Sequence, residues 1–262
     1  MATPLFWVDA FTDTPYRGNP AAICLLDAAI DEPAMQSLAF ELGLAETAYV
    51  VPRPGGDYDL RWFTPTVEIP LCGHATLASA HTLFETGRAA DSVTFHTRSG
   101  PLTCTRDGTR IAMDFPAAPP NPVDAPPGLL DALGISEAVA VLDNKQWFIV
   151  EVADPAVVER LTPDLRRLET IVDGASVTAR SDRDGVDIVS RVFGPGVGVD
   201  EDAVTGSVHC ALTPYWCEQL GTTELVAYQA SARGGTLHCR LAGDRVYLAG
   251  PAVTVLRGEV DL

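Results

Sequence analysis

Basic side chains are scarce in this chain: 18 Lys and Arg stand against 35 Asp and Glu, a formal net charge of −17. Phosphate binding draws on clustered Lys and Arg, so this balance argues against a grip on nucleic acid or on an anionic membrane surface. Lysine is almost missing. Lys145 is the single one in 262 residues, which leaves Schiff-base chemistry one candidate. No run approaches the roughly 20 apolar residues that span a bilayer, and Met1 to Thr12 lacks the basic region and long apolar stretch of a secretory leader. Six cysteines (Cys24, Cys72, Cys104, Cys210, Cys217 and Cys239) form no CxxC pair and no short disulfide-scaffold spacing. They read as small hydrophobes in a reduced, cytoplasmic compartment. Metal motifs are lacking too. His74 and His81 stand two helical turns apart, which is not a recurrent ligand spacing, and there is no HExxH, so no metal is expected. Gly194-Pro195-Gly196-Val197-Gly198 has neither the GxGxxG register nor the Lys of a P-loop and reads as a turn leading to Asp202. Without a GxSxG elbow, a serine hydrolase has no anchor.

What is present is apolar material, 47% of the residues, enough at this length to bury a substantial core. Short β-rich runs punctuated by turn residues dominate. They are Leu5–Val8, Ala21–Leu26, Ala48–Val51, Leu60–Phe63, Val93–Thr97, Ile111–Phe115, Trp147–Val152, Ile188–Phe193, Leu225–Gln229 and Val253–Leu256. Three helices are expected. One opens at Asp31-Glu32-Pro33 and closes at Gly43, one runs from about Ala75 to Thr86 before Gly87, and one from about Val208 to Leu220 before Gly221. Strands outnumber helices without alternating with them, so the fold class is α+β rather than a doubly wound parallel sheet. The Pro-rich segment at about 116–127 cannot supply a ladder of N–H donors and reads as a linker. It divides the chain into an N-terminal half, 1–118, and a C-terminal half, 128–262, with the last strand free to pair with the first half. A faint repeat agrees with this division. Gly73-His74-Ala75-Thr76 and Gly206-Ser207-Val208-His209 each open a helix of similar length that ends at a glycine, about half the chain apart.

Two helices that each begin at a glycine offer bare N–H groups and positive dipole ends, which bind a carboxylate without Lys or Arg. The polar residues near these starts are His74, Asp202, Thr205 and Ser207. Glu46 follows the helix ending at Gly43 and lies among apolar neighbours in Leu42-Gly43-Leu44-Ala45-Glu46-Thr47-Ala48-Tyr49-Val50. A carboxyl group desolvated by such neighbours can exchange a proton near neutral pH. On the residues alone, Glu46 reads either as a general acid/base or as a solvated turn acid or helix-capping acid, and His74 either as a catalyst or as a structural histidine.

Val8-Asp9-Ala10-Phe11-Thr12, Gly18-Asn19-Pro20-Ala21-Ala22, Leu44-Ala45-Glu46-Thr47-Ala48, Arg61-Trp62-Phe63-Thr64-Pro65 and Leu71-Cys72-Gly73-His74-Ala75-Thr76 carry a resemblance. So do Asp200-Glu201-Asp202-Ala203-Val204-Thr205-Gly206-Ser207-Val208-His209 and Gln229-Ala230-Ser231-Ala232-Arg233-Gly234-Gly235. Together the chain resembles the PhzF-like phenazine biosynthesis family of the diaminopimelate epimerase superfamily. The resemblance implies two pseudo-symmetric halves, each a curved sheet around a central helix, with the active site between them, and a homodimer that works without a cofactor. It implies an isomerase in which Glu46 shuttles a proton between carbons of a small unsaturated carboxylic acid, dihydro-hydroxyanthranilate being the best-known substrate class. His74, Asp202, Thr205 and Ser207 would position or polarise that acid, with the Gly73 and Gly206 amides near its carboxylate. Ala203 stands where many relatives carry proline. Cys72 resembles the first thiol of the two-thiol epimerases, but the matching position of the second half is Ala203, so Cys72 is expected to be a packed core thiol. Two alternatives remain: a racemase or epimerase of an amino or hydroxy acid, and a non-catalytic binder that keeps the fold.

Overall fold

The computed structural model describes residues 2–262 and divides the chain into two compact units. One holds the residues up to Asp114 together with Ala249–Leu262, and the other holds Phe115–Leu248. The Pro-rich segment is therefore not a free linker. It is part of the second unit, where Asn121–Pro122 pairs with Ala140–Asp143. Helix Gly206–Leu220 contains Pro214, which has no N–H for the carbonyl four residues back. That carbonyl, on Cys210, accepts the backbone N–H of Ala118 instead, at 3.0 Å.

The sheet of the first unit runs from the C-terminal strand Ala252–Asp261 to Ala2–Ala10, Asn19–Leu25, Glu46–Pro52, Tyr58–Phe63, Ser92–Thr97, Gly100–Asp107 and Arg110–Pro116. From Ala2–Ala10 to Gly100–Asp107 the pairings alternate antiparallel and parallel. In the second unit Ala140–Asp143, Phe148–Glu151, Ala175–Arg180, Ile188–Gly194, Glu224–Gln229 and Gly235–Ala242 follow one another with the same alternation. A short strand pairs with the fourth strand of each series, Glu68–Ile69 in one and Val199–Asp202 in the other, and each precedes its unit's longest helix. The faint sequence repeat thus corresponds to a repeated topology.

Those two helices, Gly73–Glu85 and Gly206–Leu220, are buried on most sides. The first packs on Ala2–Ala10, Asn19–Leu25, Glu46–Pro52 and Ala252–Asp261. A helix enclosed this way should be apolar all round, yet it carries Thr76, Ser79 and Thr82 at essentially zero exposure. Each hydroxyl donates to the carbonyl four residues back, on Cys72, Ala75 and Ala78, so no donor is left bare in the core. Helix Glu32–Leu42 begins as its sequence indicates: Asp31 accepts the Ala34 N–H at 2.8 Å, and Gly43 closes it at φ 62°, where a side chain would be strained. Among the described residues, no helix is long and apolar enough to cross a membrane.

The ten strands and three longer helices expected from the sequence are all present, with bounds moved by a few residues. Strands such as Ala175–Arg180 and Gly235–Ala242 escaped the pattern, as did the short helices Leu129–Leu133, Pro155–Arg160 and Leu165–Glu169. In Ala175–Arg180 the polar Ser176 and Thr178 are as buried as the apolar residues between them, so no contrast between faces marks the strand.

Candidate functional site

The sequence-predicted residues fall into two groups, one in each unit. In the first unit, Gly43 turns the chain out of its helix and Glu46 begins strand Glu46–Pro52, which runs parallel to Asn19–Leu25 with Glu46 opposite Ala21. Cys72 and His74 stand at the start of helix Gly73–Glu85, where the N-cap side chain of Cys72 makes no capping bond. The helix thus presents first-turn N–H groups and the positive end of its dipole beside the acid.

Glu46 Oε2 lies 3.0 Å from His74 Nε2, with 14% of the Glu46 side chain and 7% of the His74 side chain exposed. The pair is close without being aligned as a hydrogen bond, and Oε2 is buried with no hydrogen-bond partner. Cys72 Sγ is also close to the imidazole, 3.5 Å from Nδ1 and 4.0 Å from Nε2. Cys72 is buried, as expected of a core thiol, but it is also in contact with the site, which the sequence reading did not foresee. Burial pushes its thiol up, so it stays protonated at neutral pH. For His74, burial opposes the charged ring, while the Cys72 sulfur and the Glu46 carboxylate act against it and prevail, holding the imidazole well above its ordinary value. With the thiol neutral, Glu46 is the partner that sustains this shift. A mostly buried carboxylate and imidazole beside a helix start can take a proton, return it and stabilise negative charge.

In the second unit, strand Val199–Asp202 delivers Asp202 to a loop that ends at Thr205, the N-cap of helix Gly206–Leu220. The Thr205 hydroxyl donates to Asp202 Oδ2 at 2.6 Å rather than capping the helix. Gln229, fully buried, locks this loop. Its Oε1 accepts the Thr205 N–H at 2.8 Å, and its Nε2 donates to the Asp202 carbonyl at 2.7 Å and to the Thr205 hydroxyl at 3.2 Å. The Ser231 hydroxyl donates to the Ala203 carbonyl at 2.9 Å. Hydrogen bonds from Gln229 and Ser231 thus hold the loop that contains Ala203.

Ser207 has a partner the sequence did not reveal: the indole Nε1–H of Trp147 donates to its hydroxyl at 3.1 Å. The indole lies against Gly174, where an added Cβ would come within 2.3 Å of a ring carbon, so only glycine admits it. Gln229 and Ser231 belong to a motif noted in the sequence, although their roles were not legible. Trp147 gave no signal beyond opening a strand.

The chain is similar to known proteins along its whole length. The family model described as phenazine biosynthesis-like protein matches residues 8–258. An uncharacterized isomerase of Pseudomonas aeruginosa is 50% identical over the full length of both chains, and one of Halalkalibacterium halodurans is 47% identical, again over all of both. The crystal structure of a phenazine biosynthesis protein of the PhzF family from Enterococcus faecalis covers both chains entirely, at TM-score 0.95 and 40% identity. A hydroxyproline epimerase from Agrobacterium vitis, at TM-score 0.64 and 12% identity over all of this chain and 93% of that one, shares the fold.

Proposed function

The chain belongs to the phenazine biosynthesis-like (PhzF) family, and on that premise we propose that it is a cofactor-independent isomerase in which Glu46 carries a proton between carbons of a small unsaturated carboxylic acid. Full-length relatives named isomerases support the general activity. The finer reading rests on one observation: Glu46 is a mostly buried carboxylate 3.0 Å from His74 at an uncapped helix start.

In this reading the Glu46 carboxylate removes a proton from a carbon made acidic by conjugation, and the electron pair spreads over the π system toward the substrate carboxylate. Glu46, now a carboxylic acid, returns the proton to a different carbon. Each turnover restores its starting charge, so a single carrier balances the reaction. His74 and the Gly73 end of its helix steady the delocalised anion between the two transfers. In the second unit, Asp202, Thr205, Ser207 and the Gly206 end of the helix form a set suited to a carboxylate, which a helix start binds through its free N–H groups. Locally aimed amides outweigh the repulsion of a net charge of −17 because salt screens exposed charge over about 8 Å.

The test is deuterium uptake from heavy water into conjugated carboxylic acids, dihydro-hydroxyanthranilate among them. Glu46→Gln keeps the shape and removes the base, so uptake should fall about 10²–10⁴-fold. Uptake at the wild-type rate in that variant would sink the reading.

A further inference from the structure

We propose that Glu46, Cys72 and His74 also form a reversible site for a borderline-soft divalent cation, Zn²⁺, and that its occupation stops proton transfer. The inhibitory half of this proposal rests on the Glu46 reading above, and the binding half does not. Among the described residues, these three form the one group of Cys, His and acidic side chains whose ligating atoms all lie within 4.8 Å of one another. Tetrahedral zinc, with bonds of about 2.0–2.3 Å, has ligand-to-ligand edges of roughly 3.3–3.8 Å. His74 Nε2 stands 3.0 Å from Glu46 Oε2 and 4.0 Å from Cys72 Sγ, bracketing that range.

A second observation points the same way. Glu46 Oε2 is buried and lacks a hydrogen-bond partner although it touches His74. A cation between Oε2, the imidazole and the sulfur would satisfy it. Thiolate, imidazole and carboxylate together suit zinc, whereas magnesium and calcium take oxygen ligands. Three protein ligands leave the fourth position open to water or to a substrate carboxylate. Binding displaces the thiol proton of Cys72 and any proton on His74, and both pass to solvent. No electron is transferred. Because its ligands must be deprotonated to bind, the ion competes with protons, which makes the site reversible. While bound, the ion occupies the carboxylate lone pair that would accept the proton of the substrate.

The experiment titrates the full chain, stripped with a chelator, with Co²⁺ alone. One equivalent should raise a thiolate-to-cobalt charge-transfer band, and Zn²⁺ should abolish it. Cys72→Ser, checked for folding by circular dichroism, should eliminate the band and weaken Zn²⁺ binding by more than the ~10–100-fold typical of outer-shell changes. His74→Asn should weaken binding comparably while retaining a band at high Co²⁺. Cys24→Ser, at a buried cysteine on strand Asn19–Leu25, should leave the band intact. A missing band at one equivalent, or one that survives Cys72→Ser, overturns the site. Deuterium uptake separates the two halves. Equal rates with and without Zn²⁺ overturn the inhibition, whereas no uptake by stripped wild-type protein rejects the shuttle and leaves the cobalt result standing.

Discussion

His74 and His209 occupy the first turns of the two buried helices, one in each unit, and their environments push them in opposite directions. His74 faces a carboxylate and is held above the ordinary imidazole value despite its burial. His209 faces the backbone. Its Nδ1 donates to the Thr205 carbonyl at 2.7 Å, its Nε2 has no partner, and burial lowers it to about 4. One residue type in one helical setting thus serves as a charge-bearing group beside an acid, or as a neutral wedge that orders a loop. The nearby carboxylate decides which.

Glu46→Gln is the sharpest way to break this contrast and has the largest expected effect. Losing the carboxylate should lower the His74 titration midpoint, followed by the imidazole proton resonances, as well as slowing uptake about 10²–10⁴-fold. The next effect belongs to His209. Its folded value lies near 4 and its ordinary value at 6.5, so between them the unfolded chain binds a proton that the folded chain does not. Stability from this group is complete above pH 6.5 and is lost as pH falls through about 4, a loss on the order of 3 kcal/mol. Denaturant unfolding from pH 7 to 4 should show that slope, and His209→Gln should flatten it.

Gln229→Ala sharpens the comparison by releasing the loop beside His209 while leaving the first unit untouched. It strands the buried Thr205 N–H and removes a donor from the Asp202 carbonyl, at about 2 kcal/mol, visible as a lower melting temperature. Adding Ala203→Pro should restore part of the lost melting temperature, since it stiffens the same loop. The smallest effect is expected of Trp147→Phe, which keeps a ring over Gly174 but removes the donor to Ser207. It should raise KM severalfold, corresponding to about 1 kcal/mol, with kcat little changed.

The sequence displays one side of this comparison better than the other. Glu46, His74, Asp202 and Ser207 lie in short ordered segments whose residue types match a family pattern, and they can be named without coordinates. The longer helices were legible because their caps are local: Asp31 and Gly43 act within a few residues of the turns they close. Cys72 was visible but its neighbour was not, because Glu46 reaches it from a strand 26 positions earlier in the chain, and no spacing rule covers such a meeting. Trp147 reaches Ser207 across 60 positions. The hydrogen bonds of Gln229 likewise depend on a pairing that sets strand Glu224–Gln229 beside Ile188–Gly194. Helices shorter than two turns escaped because so few residues cannot display a period.

Strand Ala252–Asp261 lies against Ala2–Ala10, so the sheet of the first unit is closed by a strand made after the whole of the second unit. During synthesis, therefore, Glu46 waits in an unfinished sheet while residues 115–248, already complete, can fold around their own helix. The order of assembly should be the reverse of the order of translation, with the earlier-made unit maturing last. Deleting the final ten residues would expose the long edge of Ala2–Ala10 as a template for intermolecular pairing.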